Sequence, residues 1–405
     1  MQVRLLRISG VLCVAGFGLV LVGLVSPSLI IRILVIIVGI LILLPVSLLF
    51  WLWLQSGSKI GSIQAPMKTW VVRDDGSHNA FTDMVFWNES FWLVFISSPS
   101  HFASDQSRVV LLRSRDGRDW QTAHEFGGDG QDIRDPKLGI IAQQLAVFAL
   151  LNKSFDAAPY ASVTSLSKNG LDWTPFRLTI QEGWLIGRPI TKDGTSWYAP
   201  AHRLDTGSAA LLSSTDGLDW RVHSRLFDGN IERADETAMQ LLKDGRLLAI
   251  TRLEAGSSIL GSDLAATLVS ISEPPFTEWR ILARNRTTRL DGPVMFMAND
   301  QIYAVGRRQV EGQGSFWLKS GSVFSKKRTS IFHVEEKTGE LVYLADLPSS
   351  GDTSYAGVVA RDGKILICYY TNEPTVDYPW LLGMLLPTRI QIVELEIEKI
   401  NEFKG

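Results

Sequence analysis

A seven-residue pattern recurs three times in this chain. Residues 114–120 read SRDGRDW, 167–173 read SKNGLDW and 214–220 read STDGLDW, a Ser-x-Asp/Asn-Gly-x-Asp-Trp pattern repeated about every 50 residues. A fixed spacing of this size predicts one supersecondary unit copied along a stacked or radial array. Each copy follows a strand-like run (RVVLLR, ASVTSL, SAALLS) and precedes a second run of alternating polarity. The pattern therefore reads as a glycine-containing hairpin turn. Its carboxylate or amide binds turn N–H groups and its tryptophan packs beneath. A decayed fourth copy, SISEPPFTEW at 270–279, keeps only the serine and the tryptophan.

The rest of the region after residue 70 divides into six such units. Six segments open with a polar or charged residue and continue as strands: FTDMVFW, IRDPKLG, IGRPITK, DETAMQLL, LDGPVMFM and TSYAGVV. Each is followed by a second strand: FWLVFI, LAVFALL, SWYAPA, RLLAITR, QIYAVGR and ILICYY. Six four-stranded blades around a channel use residues 70–400 well, so the expected fold is an all-β, six-bladed β-propeller. The polar residues that begin the innermost strands then gather at one end of the channel.

The N-terminus is of a different kind. Residues 8–25 carry no charge, and residues 29–54 carry only Arg32. At 1.5 Å per residue the first spans roughly 27 Å, close to a bilayer core. The expectation is a transmembrane helical hairpin over 1–56, a linker over 57–69 and the propeller over 70–400. A cleaved signal peptide is the alternative for the first segment. The SPS that follows it is a poor cleavage site, and a second apolar run comes directly after. Arg4 and Arg7 before the hairpin, and Lys59, Lys68 and Arg73 after it, favour both ends inside and a propeller on the cytoplasmic face. The 40 basic and 42 acidic side chains nearly cancel, which argues against nucleic acid as a partner. Cys13 and Cys368 form no disulfide framework, and no His/Cys spacing suggests a metal or other cofactor. YPWLLGMLLP at 378–387 is too short to span a bilayer and is expected as a membrane-dipping lip, with a buried loop as the alternative.

The three turns resemble the Asp-box motif. Taken in order with HNAFTDMVFW, DIRDPKLG, DETAMQLLKDGRLLAITR, LDGPVMF and GDTSYAGVV, they make residues 70–398 similar to sialidase-like (exo-α-sialidase superfamily) propeller proteins. That resemblance implies a tyrosine nucleophile activated by a glutamate, an aspartate acid/base and arginines that hold a substrate carboxylate. The chemistry is coherent, because a neutral phenol is not repelled by an anionic sugar and an adjacent base makes it nucleophilic. Carried over, the nucleophile is Tyr355 and its base Glu236. The acid is Asp83 or Asp135, with Asp83 favoured for opening the first blade just after His78. Arg252, Arg307 and Arg134 form the clamp. Blade one has Ile96 and Ser97 where a basic residue is expected, and Arg188 from blade three offers a substitute charge. The implied ligand is a terminal acidic sugar on a glycan or glycolipid, with membrane lipid as a further partner. A non-catalytic glycan-binding or scaffolding propeller needs the same fold and stays open beside the hydrolase.

Overall fold

The computed structural model describes residues 2–26, 28–58, 67–153, 158–257, 259–310 and 318–402. Lys59 and most of the linker expected over 57–69 lie outside these residues. Two helices come first, α1 (Gln2–Val25) and α2 (Leu29–Leu54). They approach closely at two small residues: a Cβ on Gly39 would lie 2.6 Å from Val20 Cγ2 and 2.9 Å from the Gly16 carbonyl oxygen. Small residues of this kind let helix backbones touch. Among the described residues one helix, α2, is long and apolar enough to cross a membrane.

The remainder is a six-bladed β-propeller. Blades one to five each run outward from an innermost strand: His78–Trp87, Asp132–Ile141, the interrupted pair Leu185–Ile186 and Ile190–Thr191, Glu232–Leu241, and Asp291–Ala298. Blade six takes its three inner strands from Thr353–Arg361, Lys364–Thr371 and Arg389–Glu396. Its outermost strand is Lys68–Arg73 from the other end of the chain. That pairing, Lys68 opposite Glu394 through Arg73 opposite Ile390, closes the ring.

Among the described residues, apolar side chains on both faces of the strands are buried in five separate clusters between neighbouring blades, with Trp92, Phe95, Phe148, Tyr303 and Phe332 almost wholly enclosed. Period-two burial on both faces of a sheet gives such apolar runs. The repeated turns lie at the outer hairpins of one face. In each, the first serine accepts the glycine N–H, at 2.9 Å for Gly117, 2.7 Å for Gly170 and 2.8 Å for Gly217. The acidic or amide side chain accepts the next two amides, at 2.9 Å each for Arg118 and Asp119 onto Asp116. The tryptophan Nε1 donates back to the glycine carbonyl, at 2.9 Å for Trp120. Gly170 and Gly217 have φ of +78° and +72°, and an added Cβ would strike Trp92 and Ile141 of the preceding blade. The glycine thus serves both the left-handed backbone and the seating of one blade on the last.

The short helix α3 (Trp380–Leu385) lies in the second-to-third-strand loop of blade six. The expectation of a lip over 378–387 changes in character here. Tyr378, Trp380, Leu382, Met384 and Leu386 are buried, and Tyr378, Leu382 and Leu386 pack on Leu52 of α2. Apolar side chains that already cover one another have no exposed face to offer a bilayer, so this segment is the buried loop.

Candidate active site

The innermost strands share one irregularity. Against its neighbour, each of five inner strands places two residues opposite one: Phe81–Thr82, Asp135–Pro136, Asp235–Glu236, Gly292–Pro293 and Tyr355–Ala356. In blade three the corresponding place is the break Gly187–Pro189 between two short strands. A bulge re-aims the side chains that carry it, and here the five bulges and the one break meet at one end of the channel. Phe81, Asp135 and Tyr355 hold φ of 57°, 47° and 49°, the left-handed region, where non-glycine residues are rare and cluster at functional sites. Prolines 136, 189 and 293 follow the bulge residue in three blades, where no ladder N–H is needed.

The resulting cavity has a volume of about 380 Å³. Tyr355, Glu236, Asp135, Arg134, Arg188, Arg252 and Arg307 all line it. Tyr355 O–H donates to Glu236, and Arg252 Nη1 donates to both Glu236 oxygens at 2.8 and 3.0 Å. The backbone that presents the tyrosine is pinned by Thr82 Oγ1, which donates to the Tyr355 carbonyl at 2.6 Å. Phe81 meets the ring edge-on at 4.8 Å, and Arg307 sits 5.5 Å from its centroid. Gly292 lies under the ring, where a Cβ would come within 2.7 Å of Tyr355 Cγ.

Asp83 and His78 sit outside the cavity wall. Asp83 is buried and turned to the neighbouring blades. It accepts from the amides of Met84 and Leu138 at 2.8 and 2.9 Å and from Arg188 Nε at 3.1 Å. His78 is buried behind Phe81, with Nε2 3.0 Å from Asp352 and Nδ1 2.8 Å from the Leu386 carbonyl. Asp135 differs from Asp83 in facing the cavity, and one of its oxygens is buried without a hydrogen-bond partner.

Each cavity arginine is seated by a carboxylate: Arg134 by Asp132, Arg188 by Asp83, Arg252 by Glu254, Asp291 and Glu236, and Arg307 by Asp291 and Asp352. Guanidiniums so held are oriented; burial disfavours the charged forms of Arg252 and Arg307, but Asp291 and the other carboxylates outweigh it and stabilise both as cations, whereas burial lowers Arg188 to about 10. Burial and the Glu236 charge push the Tyr355 phenol well above its ordinary range. Burial would raise Glu236 too, but Arg252 and the Tyr355 hydrogen bond hold its carboxyl below the usual value. Burial lifts Asp135 to about 6, against the pull of Lys137 and Arg134. Asp235, next to Glu236, is raised by burial and by that neighbour's charge. The site therefore holds an ionised carboxylate on the phenol and a carboxyl able to carry a proton near neutrality.

Several cavity residues carried no signal of their own in the sequence. Lys137 follows Asp135 by two residues and shares its motif. Asp235 precedes Glu236, and His202 Nε2 lies 3.2 Å from its carboxylate. Trp380 of α3 closes one side, its ring 4.3 Å from the Arg307 guanidinium and its Nε1 donating to Asp352 at 2.8 Å. The clue to Asp352 was the polar knot SSGDTSY, which holds it three residues before Tyr355.

No family model matches the chain, and no curated protein matches it. Solved structures do. The endosialidase of phage phi92 aligns over 82% of this chain and 69% of its own, with 11% identity and a TM-score of 0.60. A Trypanosoma rangeli sialidase mutant that displays trans-sialidase activity aligns over 84% and 60%, with 14% identity and a TM-score of 0.58. An α-L-arabinanase of Penicillium chrysogenum, complexed with arabinobiose, aligns over 82% and 99%, with 10% identity and a TM-score of 0.57. At these identities the likeness is one of fold.

Proposed function

We propose that this chain is a membrane-anchored exo-glycosidase that cleaves a terminal acidic sugar, with Tyr355 as nucleophile and Glu236 as its base. The observation that carries the reading is the Tyr355–Glu236 hydrogen bond inside a cavity lined by four arginines. Glycosidase neighbours on the same fold support the reaction class. The arginines support an anionic substrate over a neutral one, because planar guanidiniums bind carboxylates bidentately.

In this mechanism Tyr355 attacks the anomeric carbon as its proton passes to Glu236. The glycosidic bond breaks and Asp135, which burial raises to about 6 so that it carries its proton below that pH, donates that proton to the leaving oxygen. Asp135 then takes a proton from a water that displaces the tyrosine, and Glu236 returns the phenolic proton. Arg134, Arg252 and Arg307 hold the substrate's carboxylate, and Arg188 adds positive charge from blade three. Asp83 acts through Arg188, and His78 through Asp352. The helices α1 and α2 form the anchoring hairpin, and the basic flanks favour a propeller on the cytoplasmic face.

A panel of fluorogenic acidic and neutral glycosides tests this with the full chain in detergent. Turnover of an acidic glycoside, lost in Tyr355→Phe with binding retained, is the expected outcome. The second reading, a glycan-binding propeller without turnover, is favoured by the engagement of Arg252 and Arg307 with Glu236, Glu254, Asp291 and Asp352. Sugar binding with no hydrolysis of any panel member supports it and sinks the hydrolase.

A further inference from the structure

The end of α2 meets the propeller on the same face as the cavity. In every blade the inner strand begins at the cavity end, so the loops between second and third strands, and those leading into each inner strand, also lie there. The helix docks on one such loop: Leu52, fully buried, packs on Tyr378, Leu382 and Leu386, and Gly57–Ser58 pairs with Val376–Asp377. From there a backbone ladder crosses the face. Leu381 N donates to the Val323 carbonyl at 2.8 Å, and Val323 N donates to the Ile259 carbonyl at 2.9 Å.

Two observations fix what lies against this face. The last turn of α2 exposes Phe50, Trp51, Trp53 and Leu54 around the buried Leu52. Tryptophans at the end of a membrane-length helix mark the headgroup level of a bilayer. Because Leu52 touches the propeller within that same turn, the cavity face stands at headgroup level. The face also exposes large apolar side chains: Ile231 at 72%, Ile259 at 55%, Leu264 at 43% and Val310 at 38%. These belong to blades four and five, the sector that the ladder joins to α2.

We propose that the cavity face rests on the bilayer that α2 enters, with Ile231, Ile259, Leu264 and Val310 seated in its surface, and that the cavity takes the headgroup sugar of a lipid in that leaflet. The substrate class rests on the glycosidase reading; the seating does not. Trp380, which forms one wall of the cavity and belongs to the helix that α2 grips, links the two. Partly buried apolar side chains of this kind bind surfaces in proportion to the apolar area they insert.

The test places the full chain in nanodiscs of phosphatidylcholine with one-fifth phosphatidylglycerol, a composition of about 20% anionic lipid. Cysteines introduced one at a time at Ile259→Cys and Ile231→Cys, in a Cys13→Ser background whose remaining Cys368 is fully buried, carry an environment-sensitive fluorophore, and doxyl-labelled lipid is the quencher. Leu171→Cys, on the opposite face, is the control. At least twofold stronger quenching at 259 and 231 than at 171 is expected; equal quenching at all three overturns the seating. An acidic glycosphingolipid in the same discs is then compared with the same sugar as a soluble glycoside. A kcat/KM at least tenfold higher for the lipid, reduced at least fivefold by Ile259→Glu while the soluble value holds, is expected. Equal values, with quenching intact, overturn the lipid headgroup as substrate. Strong quenching with no hydrolysis of either substrate overturns the glycosidase reading and leaves the seating supported.

Discussion

Where the three Ser-x-Asp/Asn-Gly-x-Asp-Trp turns lie, the first serine, the Asp/Asn and the tryptophan are answered within their own seven residues; at the other end of the same strands, partners come from other blades. Asp116 accepts amides two and three positions along its own turn. Glu236 of blade four instead meets Tyr355 of blade six, and Asp83 of blade one meets Arg188 of blade three. The turn face repeats because its hydrogen bonds are local. The cavity face varies because each bulge residue answers to a different neighbour. The ring is therefore held in part by copies of one local device, while its chemistry depends on closure bringing distant residues together.

That contrast predicts coupling at the cavity face and independence at the turn face. The largest effect is expected from Tyr355→Phe, about a thousandfold in kcat. Glu236→Gln added to it costs little more, because the pair acts as one unit; multiplicative losses in steady-state kinetics would break the comparison. Next, Gly170→Ala forces a Cβ into Trp92 from a left-handed backbone and lowers stability by about 3 kcal/mol in denaturant unfolding. Turnover per folded molecule should stay unchanged, as the damage lies at the far end of the strands. Asp216→Ala removes the acceptor for the Leu218 and Asp219 amides and lowers stability by about 1.5 kcal/mol, again without altering kcat.

The smallest effect is one of pH. Asp135 has its folded value raised to about 6 by burial, above the ordinary 3.8, so the fold disfavours its charged form. The penalty is absent below 3.8, grows between 3.8 and about 6 and stays constant above. Because the carboxyl opens to the cavity, Asp135→Asn should gain only about 1 kcal/mol at pH 8, and nothing at pH 3. Matching unfolding curves for the two proteins at pH 8 would show that Asp135 is not held as described. In the active chain, the alkaline limb of the rate profile should fall near pH 6 and vanish in this variant.

Much of this architecture was legible from local patterns. Period-two strands, glycine turns and the spacing of three heptapeptides give six units, and the order of their strand openings aligns Tyr355 with Glu236. The choice between Asp83 and Asp135 was not legible. Both follow the opening of an inner strand, but Asp135 is itself the first bulge residue, whereas Asp83 comes just after the bulge at Phe81–Thr82. The two positions differ by two residues, but the extra residue of the bulge between them breaks the strand alternation and turns the side chains differently, and no residue type announces it. The arginine seats were equally hidden, since Asp291 reaches Arg252 and Asp352 reaches Arg307 only across neighbouring blades. The apolar run at 378–387 read as a surface lip because its cover, Leu52, lies more than 320 positions away.

By itself, then, the sequence determined the repeat, the strand periods, the apolar helix and the identity of the side chains able to do chemistry. These depend on neighbours within a few residues, where backbone geometry leaves few choices. Only the tertiary structure decided which of those side chains share a cavity, which carboxylate seats which arginine, and which face of the ring the helix grips. Those outcomes depend on ring closure and bulge register, which join residues hundreds of positions apart.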